Sequence, residues 1–264
     1  MVSLIVVNFN TAQLTADCLS SLLDNVPEAD REIIVVDNAS ADDSLSVFRA
    51  AFGNKIKLIA NAANLGFAAA NNIGARAANG DILFFLNSDT IIKSDITKPL
   101  AAIFAASERI GIVSPTLLLP SEQPQPFAFG LFPSLASLAA QKLFPSRSFR
   151  SSSGLKYVDW VSGAALAIRK EVFEKIGAWD EGYFLYFEDV DLCWRAKHYG
   201  YEVVVTASIS VTHLGGRSLE RDRQRKDHYY RAQEYFFRKN YGALSASVLK
   251  IIRWPYKILK ELHK

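Results

Sequence analysis

The chain has 264 residues, of which half are hydrophobic and 22% are charged, so it can bury a sizeable core and its composition excludes a disordered chain. Its two cysteines, Cys18 and Cys193, lack CxxC spacing, which excludes a zinc cage or a disulfide framework and favours a reducing, cytoplasmic setting. The opening MVSLIVVNFN lacks the basic start of a signal peptide, and no apolar run is long enough to span a membrane.

The net charge of +3 conceals a strong asymmetry along the chain. Residues 1–213 contain 17 Lys and Arg against 22 Asp and Glu, whereas residues 214–264 contain 13 against 5. We therefore predict a basic C-terminal segment whose environment differs from that of the body. Nucleic acid and an anionic membrane surface are both candidate partners for such a segment.

The first third of the chain alternates predicted strands with predicted helices. Apolar, β-branched runs predict strands at residues 3–7, 32–36 and 81–86. Helices are predicted at residues 13–25, 43–52 and 68–79. This alternation indicates an α/β fold with a mostly parallel central sheet flanked by helices. Each predicted strand ends in a polar patch, and ligands bind at the carboxyl ends of strands in such sheets, so we expect the site there.

The rest of the chain is less regular. Residues 115–145 contain six of the nine prolines, which predicts a long excursion over the site. A strand region at 157–168, a helix at 170–176 and a strand at 202–206 follow, with an acidic cluster between the last two. The remainder is predicted to be helical and basic.

Several common motifs are absent from the sequence. There is no P-loop, no GxGxxG after the first strand, no HExxH and no GxSxG. The kinase, dinucleotide-binding, zinc-protease and serine-hydrolase interpretations therefore lose their main support.

Six segments, in order, resemble GT-A-fold glycosyltransferases of family 2, and within them the rhamnosyltransferase-like subgroup. These segments are VSLIVVNFN, IIVVDNASADDS, NLGFAAANNIGARAA, LFFLNSDT, DWVSGAALAIRKEVFEKIGAWDEGYFLYFEDVDLCWRAKHYGY and SVTHLGG. The resemblance implies a GT-A domain over residues 1–216, with a nucleotide-binding half at 1–89 and an acceptor-binding half at 90–216. Residues 217–264 then form a basic helical appendage.

The same resemblance implies a metal-dependent, inverting glycosyltransferase. Its donor would be a dTDP- or UDP-sugar, with rhamnose a candidate sugar, and its acceptor a hydroxyl of a glycan or lipid-linked sugar in bacterial polysaccharide assembly. Two alternatives stay open, a catalytically inactive nucleotide- or sugar-binding partner of such an assembly and a sugar-phosphate nucleotidyltransferase. The second would ordinarily have a glycine- and lysine-rich loop after the first strand, where this chain has NFNTAQLT.

The resemblance assigns the donor to residues near the strand ends. Asp37 would accept the imide N–H of uracil or thymine, although an Asp in DNAS also suits a turn or a helix N-cap. The remaining donor-binding candidates are Val7, Phe9, Asn10, Asn64, Gly66, Asn71 and Ser88. A turn that leads into an alanine-rich helix is the alternative for the segment at Asn64 and Gly66.

The resemblance also assigns a divalent cation, Mg²⁺ or Mn²⁺, to Asp89 and His213. A cation neutralises the charge of a departing diphosphate, and manganese tolerates a nitrogen ligand better. The family pattern D-x-D begins here with Asn87, which leaves Asp89 as the carboxylate ligand. The alternatives are a polar turn at the strand end and a structural histidine.

The Glu188-Asp189 pair corresponds to the family's catalytic acids. An acceptor hydroxyl needs a base to take its proton, and the resemblance gives that role to Asp189, with Glu188 as the fallback. The alternative is a solvated helix start, where acids favour the positive end of the dipole. Acceptor contacts are predicted for Asp159, Trp160, Gly163 and Asp191, although Trp160 could equally anchor the core.

The final helix, at residues 245–264, is predicted to be amphipathic. Five basic residues fall in one sector of a helical wheel, namely Lys250, Arg253, Lys257, Lys260 and Lys264. We expect this helix to lie on an anionic membrane, where a lipid-linked acceptor would be. Docking on its own domain is the alternative, and no motif supports nucleic acid as a partner.

Overall fold

The computed structural model describes residues 1–135, 151–152, 154–215 and 222–261. Its first half alternates strands and helices, as the sequence predicts. In chain order these are β1 (Val2–Asn8), α1 (Ala12–Asn25), β2 (Arg31–Asp37), α2 (Ser44–Phe52), β3 (Lys57–Ala60), α3 (Phe67–Ala77), β4 (Ile82–Asn87), β5 (Thr90–Ile92) and α4 (Thr97–Ala106). The predicted strand at 157–168 is divided into separate short strands. The second half runs β6 (Ile110–Leu118), β7 (Phe129–Gly130), β8 (Ser151–Ser152), β9 (Leu155–Val158), β10 (Trp160–Val161), β11 (Ala165–Arg169), α5 (Lys170–Lys175), α6 (Glu188–His198), β12 (Glu202–His213), α7 (Asp222–Tyr241) and α8 (Ala243–Glu261).

One large sheet with the strand order β3-β2-β1-β4-β11-β6-β12-β9-β8 organises the described chain, and β5 pairs with β12. The strands β3, β2, β1 and β4 are parallel, as is the pair β6 and β12. Antiparallel pairs join β4 to β11, β11 to β6 and β12 to β9. The predicted parallel sheet therefore describes the first half, and the second half is mixed.

Side chains of the sheet point alternately into two hydrophobic cores. In β1, Leu4 packs with α1, α2 and α4 on one face, while Ile5 packs with α3, α5 and α6 on the other. Helix α3 lies very close to the sheet at Gly74, where a Cβ atom would be 2.5 Å from a methyl carbon of Ile5. Helices thus cover both faces and leave the strand ends open.

Strand β6 continues through Pro115, which was predicted to begin the long excursion. Proline cannot donate a ladder hydrogen bond, and it is found mainly at edges and bulges of sheets. Pro115 pairs with Thr206 of β12, and the pairing register shifts between Thr206 and Ser210. This irregularity accommodates the proline and lets β12 continue far beyond the predicted residues 202–206, to His213.

The C-terminal helices pack on the body through a third core, in which Phe236 and Phe237 of α7 are fully buried. Lys239 of α7 also reaches Asp191 of α6 and Asp180, with Nζ to oxygen distances of 2.8 and 2.6 Å. The described part of residues 217–264 is thus joined to the body by both apolar and ionic contacts.

The described members of the basic stripe predicted on the last helix form ion pairs with α7. Lys250 and Arg253 of α8 both pair with Glu234 of α7, at 3.3 and 3.4 Å. The rest of the stripe, Lys257, Lys260 and Lys264, lies outside the described side chains. None of the helices in the described ranges combines the length and the hydropathy that a bilayer crossing requires.

Candidate active site

A cavity of about 610 Å³ opens at the carboxyl ends of β1 and β4. It is the region of the sheet where the sequence predicts a ligand site. Most of the predicted site residues line it, from segments far apart in the chain: Val7, Phe9, Asn10, Asn64, Gly66, Ser88, Asp89, Gly163, Glu188, Asp189 and His213. The roles of these residues stay predictions, but the structure brings their positions together.

Asp89 and His213 lie together in the cavity because of how two strands pair. Asp89 is on the turn between β4 and β5, and Thr90 of β5 lies opposite His213 of β12. The amide of Leu214 donates to the Asp89 carbonyl at 2.9 Å, which extends this pairing by one step. As a result, His213 Nε2 lies 3.1 Å from Asp89 Oδ1.

The second ring nitrogen of His213 has its own partner. His213 Nδ1 lies 2.8 Å from Gln125 Oε1, so Nδ1 carries the proton and donates it to this oxygen. In this tautomer the lone pair of Nε2 faces the Asp89 carboxylate oxygen and the Asn87 amide, so a cation can bind between Nε2 and the carboxylate. Outer contacts of this kind orient metal-binding histidines.

The donor set at this point fits a divalent metal that shares its shell with a substrate. Mg²⁺ and Mn²⁺ are commonly held by one or two protein groups together with substrate phosphates. Asp89 supplies a carboxylate oxygen and His213 an imidazole nitrogen. Across the described residues, no three His, Cys, Asp or Glu side chains gather into a metal site made by protein alone. Asp89 and His213 would therefore hold a metal only with further ligands.

The acidic pair stands at the start of α6 and faces the same cavity. Asp189 Oδ2 accepts a hydrogen bond from the Gly163 amide at 2.9 Å, and its Oδ1 accepts one from Val190 at 2.8 Å. Glu188 is 5% exposed, and its Oε2 has no hydrogen-bond partner among the described residues.

Burial sets the protonation behaviour of both acids. It raises the pKa of Glu188 well above the ordinary value, and the neighbouring charge of Asp189 raises it further. Burial also raises the pKa of Asp189, although the hydrogen bonds from Gly163 and Val190 oppose the shift. A carboxyl with a raised pKa is suited to accept a proton near neutral pH.

The turn that precedes the acidic pair has an unusual backbone. Tyr186 and Phe187 have φ angles of +72° and +67°, in the left-handed region that residues other than glycine rarely adopt. Both rings pack edge-on against Tyr229 of α7, with centroids 5.9 and 5.4 Å away. Such strain persists only where the surroundings hold it, and it concentrates at functional sites.

The predicted donor segment is tied to this turn. Gly66 has a φ of +84°, and a Cβ atom there would lie 2.6 Å from the carbonyl oxygen of Phe184. The amide of Phe67 donates to that same oxygen at 2.8 Å. Asn38 Nδ2 donates to Asn64 Oδ1 at 2.8 Å and holds the other end of the segment. Because Gly66 has no side chain, the donor segment can pack directly against the backbone of Phe184.

Two predicted donor-binding residues lie behind the cavity wall. Asp37 is 1% exposed, and its two carboxylate oxygens accept hydrogen bonds from Asn8 Nδ2 at 2.7 Å and from the Ser40 amide at 3.1 Å. Asn71 is also 1% exposed and donates to the Phe67 carbonyl at 3.0 Å. Direct contact between either side chain and a base would require the residues that bury them to move.

Three of the four residues predicted to contact the acceptor do not line this cavity, and their role in acceptor binding stays a prediction. Asp159 pairs with Lys197 at 2.8 Å. Trp160 donates from Nε1 to the Leu131 carbonyl at 3.0 Å, which fits its alternative role as a core anchor.

Asp191 is fully buried and pairs with Arg195 and Lys239, at 2.7 and 2.8 Å. The reason is helical geometry, since Asp191 lies two positions after Asp189 and residues two apart point to different sides of α6.

The structure also adds residues that the sequence did not single out as a site. Gln125 comes from the proline-rich excursion, and Arg225 from α7 in the basic segment. Thr11 Oγ1 bridges the two strand ends, at 2.9 Å from Asn8 Oδ1 and 3.1 Å from Ser88 Oγ. Apart from the excess of basic residues after 213, the sequence has no signal for these positions.

Comparisons with known proteins agree with this architecture. The family model described as "Glycosyl transferase family 2" matches residues 3–177, about two thirds of the chain. Among solved structures, the crystal structure of GalNAc-T7 with UDP, GalNAc and Mn²⁺ superposes with a TM-score of 0.69 at 17% identity. The superposition covers 97% of this chain and 54% of the GalNAc-T7 chain, and it shows that the two share a fold.

Two curated relatives have similar sequences. The low-salt glycan biosynthesis hexosyltransferase Agl10 of Haloferax volcanii is 29% identical over 204 residues, which is 74% of this chain and 61% of that protein. The dTDP-rhamnosyl transferase RfbF of Shigella flexneri is 25% identical over 254 residues, 89% of this chain and 80% of the relative. The chain thus spans less than two thirds of the length of the Haloferax relative.

Proposed function

This chain belongs to glycosyl transferase family 2, and we propose that it moves a sugar from a nucleotide diphosphate to an acceptor hydroxyl with inversion at the anomeric carbon. The observation that carries the proposal is convergence within one cavity. Asp89 and His213 lie 3.1 Å apart in the lining of this cavity, and Glu188 and Asp189 belong to the same lining. A charge-neutralising group and a proton acceptor are the two functions that such a transfer requires.

Asp189 is the proposed base. It takes the proton of the acceptor hydroxyl while that oxygen forms a bond to the anomeric carbon. The bond from this carbon to the diphosphate oxygen breaks in the same displacement, and the nucleotide diphosphate leaves. The hydrogen bonds from Gly163 and Val190 hold the Asp189 carboxylate in position, which favours transfer from a fixed direction.

A divalent metal is part of the proposal, and Asp89 and His213 are the residues that would hold it. When bound, it supplies positive charge beside the leaving diphosphate. Gln125 keeps the His213 ring in one tautomer and one orientation. Asn87, which stands where the family has an acid, places its Nδ2 3.4 Å from His213 Nε2.

A dTDP- or UDP-sugar is the proposed donor, and rhamnose is the first sugar to test. The name of the Shigella relative, dTDP-rhamnosyl transferase, supports this choice. Phe9 is 41% exposed at the cavity rim and offers a flat face to a base. Asn10, Asn38 and Asn64 provide polar groups nearby.

We also propose that residues 217–264 bring the protein to a lipid-linked acceptor at an anionic membrane surface, in polysaccharide assembly. Two large apolar side chains of α8 point to solvent, with Leu244 79% and Ile251 71% exposed. An apolar face flanked by basic residues is typical of helices that lie in a membrane interface.

A panel of nucleotide sugars tests the reaction. The purified protein would be incubated with dTDP-rhamnose, other dTDP- and UDP-sugars and Mn²⁺ or Mg²⁺, and released nucleotide diphosphate would be measured with and without glycan acceptors. We expect release or transfer with at least one dTDP- or UDP-sugar. Turnover of none of them would count decisively against the proposed function.

A further inference from the structure

The charged groups that line the cavity are unevenly balanced. Its described lining includes three carboxylates, those of Asp89, Glu188 and Asp189. Among the described lining residues, Arg225 alone carries a permanent positive charge. It belongs to α7, outside residues 3–177, which the family model matches.

A rigid support holds Arg225 at the cavity. Helix α7 is anchored by the fully buried Phe236 and by the ion pair between Lys239 and Asp191. Three residues after Arg225, the His228 ring stacks on Phe184 with centroids 5.0 Å apart. One position further, Tyr229 packs on Tyr186 and Phe187. The same helix face thus carries Arg225 and closes the left-handed turn before the acidic pair.

Tyr186 fixes the direction of the guanidinium group. Arg225 Nε donates a hydrogen bond of 3.3 Å to the Tyr186 hydroxyl, and both side chains line the cavity. The left-handed backbone of Tyr186 directs its ring toward α7. The hydrogen bond through Nε fixes the plane of the guanidinium group, and a guanidinium is the side-chain group whose geometry matches the oxygens of a phosphate.

We infer that Arg225, oriented by Tyr186, forms a subsite for a phosphate group of a substrate. A diphosphate brings negative charge into a cavity that already contains three acids, so a fixed cation beside it favours binding. Arg225 contacts the substrate directly, and Tyr186 acts as a positioning residue. The inference rests on the proposed function, because that function supplies phosphate-bearing substrates.

Two substrates can bring such a phosphate. One is the nucleotide diphosphate of the donor, and the other is the diphosphate of a lipid-linked acceptor. The chemistry that Arg225 recognises is the same in both, so different probes must separate them. UDP and dTDP represent the donor, and geranyl diphosphate represents a lipid diphosphate without its long chain.

Binding measurements on Arg225 variants test the subsite. Dissociation constants for UDP, dTDP and geranyl diphosphate would be measured by calorimetry in Mn²⁺ buffer, with circular dichroism and melting temperature as folding controls. Arg231→Ala is the matched control, because Arg231 is an exposed cation on the same helix. We expect Arg225→Ala to weaken at least one diphosphate about tenfold or more, as for loss of a charged hydrogen bond.

Two further variants distinguish a phosphate contact from loss of structure. Arg225→Lys keeps the charge but loses the fork, so its affinity should lie between those of the wild type and Arg225→Ala. Tyr186→Phe should weaken binding less than Arg225→Ala does, since the positive charge of Arg225 remains and only the hydrogen bond that orients it is lost.

Each outcome separates the possibilities. A loss for UDP or dTDP assigns the subsite to the donor, and a loss for geranyl diphosphate alone assigns it to the acceptor. Equal affinities of Arg225→Ala and Arg231→Ala for all three probes would overturn the subsite while the proposed function stands. A wild-type protein that binds neither UDP nor dTDP contradicts the proposed function. If it also fails to bind geranyl diphosphate, the subsite is overturned too.

Discussion

Gln125 Oε1 lies 2.8 Å from His213 Nδ1, while the other ring nitrogen of His213 faces Asp89 at 3.1 Å. The imidazole is therefore held between an amide and a carboxylate that are far apart in the chain. A metal ligand oriented in this way loses less freedom when the ion binds. The proline-rich segment thus contributes Gln125 to the surroundings of a proposed metal ligand.

Replacement of Gln125 by Ala should weaken metal binding without abolishing it. Without its Nδ1 partner, the ring can rotate and change tautomer, and we expect a loss of about 10- to 100-fold in Mn²⁺ affinity. Electron paramagnetic resonance of free Mn²⁺, with UDP present, measures this directly. Gln123→Ala, an exposed neighbour, is the control. Equal Mn²⁺ affinity in the two variants would show that Gln125 does not orient the ligand.

The Asp189→Asn variant should lose turnover but keep donor binding. The amide cannot take the acceptor proton, so we expect kcat to fall by about 10²- to 10⁴-fold. Transfer is measured with the sugar nucleotide identified in the panel, and UDP affinity is measured in parallel. Asp24→Asn, at an exposed position, is the control. An inactive binding partner would instead show the same function before and after the change.

Stability should depend on pH through Glu188. Its pKa in the folded protein is raised above the ordinary value of 4.5, mainly by burial, so the folded state prefers the protonated acid. That stabilisation is fully present below pH 4.5 and is lost as pH rises through the raised pKa. The Glu188→Gln variant lacks this titration and should become progressively more stable than the wild type toward neutral pH.

The magnitude follows from linkage, at about 1.4 kcal/mol for each unit by which the pKa is raised. Urea unfolding of both proteins between pH 4 and pH 8 measures the difference. Glu108→Gln, which removes an exposed carboxyl, serves as the control. If the stability difference for Glu188→Gln is constant over this range, the raised pKa is wrong.

Removal of Lys239 should destabilise the whole fold. Asp191 is fully buried, and without Lys239 it retains Arg195 as a partner while losing much of its charge compensation. Breaking a buried pair from one side costs about 3 kcal/mol, which we expect for Lys239→Ala in urea unfolding. Arg238→Ala, at an exposed position, is the control. If the C-terminal helices instead unfold in a separate transition at a lower urea concentration than the body, they form an independent appendage.

The strands that could be predicted are those whose pattern is local. The strand predicted at residues 32–36 contains an uninterrupted apolar run at 33–36, and the structure has a strand at Arg31–Asp37. The polar residues after β1 and β4 could be placed at one edge because parallel strands end together. The predicted convergence of residues 89, 189 and 213 also holds as a placement in one cavity.

What could not be predicted depends on tertiary contacts. The presence of Pro115 argues against a strand at β6 when the sequence is considered alone. The irregular pairing that accommodates this proline lies in β12, which is far away in the chain. The sequence around Asp159 and Asp191 does not report that these side chains pair with Lys197 and Arg195. Arg225 reaches the cavity only because α7 packs back over the acidic pair, and nothing near residue 225 in sequence reports that packing.

Because Thr90 pairs with His213, the distance between the proposed ligands Asp89 and His213 depends on the register in which β5 and β12 pair. A deletion of one residue in β12 after the irregular pairing at Ser210 would turn the imidazole to the opposite face of the sheet. Lengthening the chain between residues 119 and 123, which are already joined by a backbone hydrogen bond, would leave that register intact. Insertions and deletions should therefore be tolerated very unequally along this chain, with the end of β12 among the least permissive places.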